Sequence, residues 1–569
     1  MNKKIIKKYF APKIFALLGL SSLILFGTVV GSITPFLFGK VIDLIVLGNV
    51  SEIFIIMIIM LILEIISAIL SALENYFGSK VSLQISNEIK KDLLCRIICM
   101  DMSRLETYLK GELINRLEGD SNAISSAYIQ FITGILQIVV SVIISFYFAI
   151  LLSKELTTTF IIFFPVLYGG TMILKKKYQR SIEKMKSYTD KYLGIINELF
   201  HNFEGVKSHV LELKIQEKID LLFKENERLS KRCYLIQGQM SFNQNAISAI
   251  FDFIMICVAG LLISKSRLSI GNYVSFNQYM GRLIQSASQV LSYAIGLTAC
   301  NVSIGRIEEI LCEPIENLML EEKSQIDIID KVKLESLDFR YSKQLVLSDL
   351  NLTIDKAGMY SIVGRNGCGK STLIKTIIKL YKQEKGNVFL NDINIESINM
   401  GHIRKHISYI AKEPFLLNET IAYNITLGKK IEECKLNEIC EKLDLIDFIQ
   451  SLPNKFNEII GENGLVLSSG TKQKLAIARA LIQDTSLWLC DEITSDLDGK
   501  VESKIISLIR DISRYKIIII ISHKLTTIEK SDVIFLMNDG KIIDFGTNEE
   551  LIKRSELYRQ IFDQFEIIW

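Results

Sequence analysis

At 569 residues the chain is too long for one core, and about 150 residues per domain sets an expectation of three to four domains. Its 66 basic and 63 acidic side chains leave a net charge of +3, so no chain-wide basic field exists to make nucleic acid the main partner. Hydrophobic residues are 49% and charged residues 23%, yet the mean hydropathy is +0.29, so the apolar residues are concentrated in part of the chain. The ten cysteines show neither zinc-site spacing nor a disulfide framework, which fits a reducing compartment.

The first predicted element is a membrane span. Ile14 to Gly39 carries no charged residue until Lys40, and about 20 apolar residues at 1.5 Å each cross a bilayer core. It follows Lys3, Lys4, Lys7, Lys8 and Lys13 as in a signal peptide, but the run is too long and no small-residue cleavage site closes it, so it is expected to remain in the mature protein. With this run at 14–39, further runs at 53–73, 127–153, 156–174, 237–264 and 268–300 make six candidate spans. Past about residue 300 no run reaches spanning length, and alternating strand and helix patterns begin.

Lys and Arg accumulate on the cytoplasmic side of membranes. The N-terminal lysines, the segment with Lys90, Lys91, Arg96, Arg104 and Lys110, and the segment with Lys175, Lys176, Lys177, Arg180 and Lys184 are therefore placed inside. The short connections around Ser51, Lys154 and Lys265 to Arg267 lie outside. Both termini are then cytoplasmic. The excursions 75–126 and 175–236 are amphipathic and read as helices continuing beyond the membrane.

Residues 361–372, SIVGRNGCGKST, run from an apolar strand through Gly364, Arg365, Asn366, Gly367, Cys368, Gly369, Lys370, Ser371 and Thr372 into the helical stretch LIKTIIKL. This is a P-loop in the strand-to-helix context it requires. Its backbone N–H groups suit a phosphate at a helix N-terminus, Lys370 suits the β and γ phosphates, and Ser371 suits Mg²⁺. SLWLCDE, 486–492, is an apolar strand ending in Asp491, suited to Mg²⁺, and Glu492, suited to polarising an attacking water. Read alone, that segment is better taken as a strand with a polar end.

From Asp327 to Trp569 the chain resembles the nucleotide-binding domain of an ATP-binding cassette (ABC) transporter. LSSGTKQKLAIARAL, 467–481, resembles the family signature, with Leu467, Ser468, Ser469, Gly470 and Thr471 at its start. Ser495 to Asp498 resembles the D-loop, IIIISHKL carries a residue placed like the switch histidine, His523, Tyr341 is placed like the adenine-stacking aromatic, and Glu462 precedes the signature as in exporters. The first 320 residues resemble the six-span domain of exporter-type half-transporters, with 109–124 and 197–212 similar to the two coupling segments. The resemblance implies a multi-domain membrane protein: a six-helix all-α transmembrane domain over 1–320, then an α/β P-loop ATPase domain over 327–569. It further implies an ATPase using ATP and Mg²⁺, and two half-transporters that sandwich ATP between the P-loop of one and the signature of the other. Glu492 is the implied general base, and the coupling segments pass the change to a cavity with alternating access.

Two positions depart from the family pattern. Lys412, in ISYIAKEP, stands where exporters have a Gln that contacts Mg²⁺ and water; lysine cannot ligate a cation but can approach phosphate. Ser469 replaces a signature glycine, while Ser468 and Gly470 keep their family type. With one glycine lost, a homodimer is favoured over an asymmetric heterodimer. Cys368 lies beside Lys370, an arrangement that can favour thiolate, but the plainer reading, a small residue at a permissive position, is preferred.

Cargo is sought among intramembrane polar residues, because a charge in lipid is costly and faces a cavity or a partner. Glu64, Asp252, Arg282 and Gln285 are the candidates, with Gln137, Asn245, Gln278 and Gln289 extending a polar lining; pairing of Arg282 with Asp252 is the structural alternative. The expected function is ATP-driven export of a peptide, drug-like or lipid substrate from a bacterial cell membrane, with peptide or amphipathic drug favoured. The alternatives are an importer of a metal chelate built on the exporter fold, and a regulatory membrane ATPase of weak turnover. The first span begins near Ile14 and no Cys precedes Cys95, so no N-terminal cysteine peptidase is expected.

Overall fold

The computed structural model describes residues 7–108, 110–316, 326–341, 344–461, 465–494, 497 and 499–567. The chain forms two compact units, Met1–Lys91 with Ile114–Glu308, and Asp92–Leu113 with Glu309–Trp569.

The first unit is built on six long helices: α1 (Ile14–Leu47), α2 (Val50–Ile98), α3 (Ser121–Leu152), α4 (Lys154–His201), α5 (Glu212–Ser264) and α6 (Ile270–Cys312). Each expected span falls on one of them. By length and composition, four of the six are apolar enough to cross a membrane among the described residues: α1, α2, α3 and α5, the helices at Lys7–Leu47, Val50–Ile98, Lys110–Leu152 and Glu212–Ser264. The 53 residues of α5 extend roughly 80 Å, more than twice the about 30 Å of hydrocarbon, so a large part of that helix lies outside it.

Proline fixes how α1 meets α6. Pro35 has no N–H, which leaves the Gly31 carbonyl without its helical donor. Arg282 Nη2 donates to that carbonyl at 2.8 Å and Nη1 reaches Ser32 Oγ at 3.3 Å. One and two turns before it, Tyr279 Oη donates to the Ser32 carbonyl at 2.7 Å and Ser275 Oγ to the Pro35 carbonyl at 2.8 Å. Below them a Cβ on Gly39 would lie 2.4 Å from the Gly271 carbonyl, so the two backbones touch where neither can carry a side chain. Asp43 then caps α6, accepting from Gly271 N–H and Ser269 Oγ, each at 2.7 Å.

The second unit holds a four-stranded antiparallel sheet in the order β2 (Gln344–Ile354), β1 (Val332–Tyr341), β4 (Lys385–Leu390), β5 (Ile393–Asn394). Its six-stranded sheet runs β12 (Lys541–Gly546), β11 (Val533–Asn538), β3 (Gly358–Gly364), β10 (Ile517–Ile521), β9 (Leu487–Asp491), β6 (Ile407–Ile410). All neighbours in the second sheet are parallel except the β12 edge. Residues of β3, β9 and β10 are buried throughout, which is why they read as unbroken apolar runs rather than alternating ones. A small antiparallel pair, β7 (Glu419–Thr420) with β8 (Ile459–Ile460), completes the strands.

Residues 92–113 are fastened to this unit by side chains and a backbone bond. Tyr381 Oη donates to Glu106 Oε1 at 2.6 Å and Tyr108 Oη to Glu313 Oε1 at 3.0 Å; Glu316, gripped by both Nη atoms of Arg404 at 2.6 and 2.9 Å, donates its own N–H to the Cys99 carbonyl at 2.7 Å.

Candidate functional site

In open parallel sheets, ligand sites form outside the carboxyl ends of the strands. Here the order β3, β10, β9, β6 puts four loops side by side at that edge: the P-loop after β3, His523 after β10, Glu492 after β9 and Lys412 after β6. None of this adjacency is local in sequence.

The P-loop turns from β3 into α7 (Lys370–Ile377). Gly369 has φ +104°, and a Cβ there would meet Leu347 Cδ2 at 2.9 Å and the Val346 carbonyl at 3.0 Å, so the turn tolerates no side chain. Arg365, Asn366 and Gly367 are exposed at the rim, while Gly364, Cys368, Gly369, Lys370 and Thr372 are buried. Lys370 Nζ donates to the carbonyls of Gly364 at 2.8 Å and Arg365 at 3.0 Å, which holds the ammonium inside the ring of the loop. Burial pushes its pKa down, partly offset by Cys368, Glu492 and Asp491. Burial pushes the Cys368 thiol up, and Lys370 with the surrounding backbone N–H groups does not compensate. Desolvation thus outweighs the neighbouring charge, which supports the plainer of the two readings, a small residue at a permissive position, over a favoured thiolate.

Ser371 Oγ donates to Asp491 Oδ1 at 3.1 Å. These are two hard oxygen ligands side by side, and burial raises the Asp491 pKa more than that hydrogen bond lowers it. A buried carboxylate short of positive charge next to a hydroxyl is a donor set that suits Mg²⁺. Glu492 follows in left-handed backbone at φ +50°, its N–H bonded to the Ile521 carbonyl at 3.0 Å. Backbone held there costs of order 1–3 kcal/mol and persists where the surroundings impose it. Its carboxylate is shared: Lys412 Nζ lies 2.6 Å from Oε2 and His523 Nε2 3.5 Å from Oε1. Burial, with Lys370 and Lys412 nearby, lowers the His523 pKa, so the imidazole is neutral at pH 7.

Tyr341 ends β1, half-exposed, its ring edge-on to Tyr381 at 5.2 Å and to Phe339 at 4.9 Å. Leu467 is buried, whereas Ser468 and Ser469 are exposed at the start of α8 (Ser469–Gln483), with Gly470 and Thr471 half-buried behind them. Ser468 caps this helix, its Oγ accepting from Thr471 N–H at 3.2 Å. Glu462, Ser495, Asp496 and Asp498 lie outside the described residues.

Three contacts were not foreseen. Gln473, fully buried in α8, donates to the carbonyls of Ala411 at 3.3 Å and of Lys412, tying the signature helix to the Lys412 loop. Arg479 in the same helix donates to the Asn424 carbonyl at 2.9 Å and lies 4.6 Å over the Phe415 ring. A buried ion pair, Lys524 Nζ to Glu502 Oε2 at 2.7 Å, links the residue after His523 to α9 (Gly499–Ile512). Their one sequence signal was a charged or amide side chain on the apolar face of a helix.

In the first unit, Arg282 and Gln285 line a polar cavity of about 340 Å³, together with Gln137, Gln289 and Glu74. Glu64 and Asp252 are exposed on α2 and α5 and do not line it. Arg282 bonds to α1, as described above, and not to Asp252, which corrects the pairing considered from sequence: the Gly31 carbonyl, left without a helical donor by Pro35, accepts from it. Glu74 was missed, lying one residue beyond the apolar run at 53–73.

Two sequence profiles match the chain. The ABC transporter transmembrane region matches residues 18–287, and the ABC transporter profile matches 347–495. An export ATP-binding/permease protein of Rickettsia typhi is 30% identical over 516 residues, 86% of this chain and 86% of that protein. An ATP-dependent lipid A-core flippase of Pseudomonas putida is 26% identical over 500 residues, 86% of this chain and 82% of that protein. The fold matches a bacterial Atm1-family ABC exporter solved with ATP bound, with TM-score 0.83 and 20% identity, over 97% of this chain and 98% of that one.

Proposed function

Because the chain belongs to the ABC transporter family, with an exporter-type membrane region and an ATPase domain on one polypeptide, we propose that two copies of it assemble into an ATP-driven exporter. ATP-driven transport of the exporter type is the activity of this arrangement, and the second unit is an ATPase. The observation that carries the finer reading is the convergence of Lys370, Ser371, Asp491, Glu492 and His523 at one sheet edge.

In this reading the P-loop N–H groups and Lys370 bind the β and γ phosphates, and Tyr341 stacks on adenine. Ser371 and Asp491 hold Mg²⁺, which neutralises charge on the β and γ oxygens when bound. Glu492 takes the proton of the attacking water, and neutral His523 fixes the carboxylate and contacts the γ-phosphate. Exposed Ser468 and half-buried Gly470, at the N-terminus of α8, complete the neighbouring copy's site. A γ-phosphate bound by both copies favours the closed pair, and its loss releases them. The protein resides in a bacterial cell membrane with six spans and cytoplasmic termini, and its cargo is a peptide or an amphipathic drug, with lipid as the next class.

The test is Mg-ATPase activity in nanodiscs together with ATP-dependent uptake into inside-out vesicles. Glu492→Gln is expected to abolish both while preserving ATP binding. Co-purification of a different half-transporter, with no activity from this chain alone, would replace the homodimer by a heterodimer. The Lys412–Glu492 pair favours one second reading, a regulatory ATPase, which negligible wild-type turnover would select.

A further inference from the structure

The polar cavity of the first unit narrows the cargo class, and this rests on the transport reading above. We propose that the cavity binds a small hydrophilic zwitterion, such as a short peptide with both termini free, rather than an amphipathic drug or a lipid. Its wall comes from α1, α2, α3 and α6, and among the described residues Ile138 is the one aliphatic side chain in it. An amphipathic ligand gains affinity chiefly by burying apolar surface, about 25 cal/mol per Å². This wall offers little such surface, and covering its amides and hydroxyls with hydrocarbon leaves them without partners.

The charges give the second half of the argument. Glu74 and Arg282 both line the cavity, at opposite sign, and Glu74 makes no ion pair among the described residues. Arg282 spends two of its five donors on α1 and retains a full positive charge. A ligand with an ammonium and a carboxylate meets both groups, whereas a singly charged one leaves the other unanswered at membrane depth. Gln137, Gln285 and Gln289 add paired donors and acceptors suited to peptide groups. A second cavity, about 490 Å³, shares Glu74 and follows α2 to Ser86, which bonds Asn122 at 2.7 Å; Leu20, Leu83 and Ile129 make its wall more apolar than the first.

The full-length chain in nanodiscs is melted, and its ATPase measured, with tri-alanine, its N-acetyl form, its C-terminal amide, the doubly blocked peptide and tetraphenylphosphonium. Tri-alanine is expected to bind roughly tenfold tighter than either singly blocked form. Glu74→Gln should erase the preference for the free amine and keep that for the free carboxylate, while Glu74→Asp and Arg282→Lys, which retain charge, keep both. Equal binding of the doubly blocked peptide, tighter binding of tetraphenylphosphonium, no binding of tri-alanine, or an unchanged amine preference in Glu74→Gln overturns the proposal. Loss of vesicle uptake and Mg-ATPase with this charge-selective binding intact would instead count against ATP-driven export alone.

Discussion

Lys412 Nζ and Glu492 Oε2 stand 2.6 Å apart, joining the loops that leave β6 and β9. The carboxylate proposed to accept a proton from water is thus already answered by an ammonium, and it must shed that partner to act. Lys412 is 58% exposed and Glu492 21%, so the pair is worth at most about 1 kcal/mol after solvent screening. Lys412→Gln is therefore expected to raise the Mg-ATPase rate by up to about fivefold at low salt. Added salt should stimulate wild type and leave the variant unchanged. A slower variant would show that Lys412 serves the phosphates instead.

Tyr381 joins the second unit's core to residues 92–113. Burial and the Glu106 carboxylate hold its phenol far above the ordinary value, so Oη is a committed donor to Glu106. Tyr381→Phe keeps the ring contacts with Phe339 and Tyr341 but removes this bond, a loss of about 1 kcal/mol. Tryptic cleavage after Arg104, exposed in the docked segment, should then accelerate about fivefold, with the affinity for a fluorescent ATP analogue unchanged. Unaltered cleavage would show that the Tyr108–Glu313 bond and the Glu316 N–H bond to the Cys99 carbonyl hold the segment without Tyr381.

Cys368 offers a contrast with Cys434. Cys434 is exposed, whereas Cys368 is buried under the P-loop with its pKa raised by desolvation. At pH 7 maleimide is expected to label Cys434 and leave Cys368 untouched, with ATPase activity retained. Inactivation matched to Cys368 labelling would favour the thiolate reading instead.

The P-loop was legible because its chemistry is contiguous: spacing and glycines are fixed by one phosphate-sized ring, and β3 and α7 follow from their apolar patterns. Lys412 was visible as a departure, but not its partner, because 80 residues separate it from Glu492 and only the order β10, β9, β6 brings their loops together. The cavity failed for a related reason. Charges inside apolar runs drew attention to Glu64 and Asp252, but a stripe on a helix does not say at which height a cavity opens. Ser67, Ser71 and Glu74 share a face at spacings of four and three; Glu64 continues that stripe three residues before Ser67, yet stands about 15 Å along the helix from Glu74 and outside the cavity wall. Arg282 looked like a cargo residue or half of an ion pair; its bond to the Gly31 carbonyl depends on a helix more than 240 residues distant in the chain.

Asp532 supplies the acid limb of stability in the second unit. Its Oδ2 accepts from Met359 N–H at 2.9 Å, and Arg510 Nη2 donates to Oδ1 at 2.6 Å, so the carboxylate ties the start of β3 to the start of β11. The Arg510 hydrogen bonds, chiefly, hold its pKa below the ordinary 3.8 despite burial. A depressed carboxylate contributes stability that is fully present above its unfolded value and disappears as pH falls through the lower folded one. Both partners are about two-fifths exposed, so screening limits the contribution to under about 1 kcal/mol. The buried Trp488 in β9 reports unfolding of this unit. Asp532→Asn should melt lower than wild type at neutral pH, and the two curves should converge as pH drops below 3.8, because protonation gives wild type the same uncharged group. Parallel curves across that range would mean that the carboxylate's charge contributes nothing and that the Met359 N–H bond alone orders the strand.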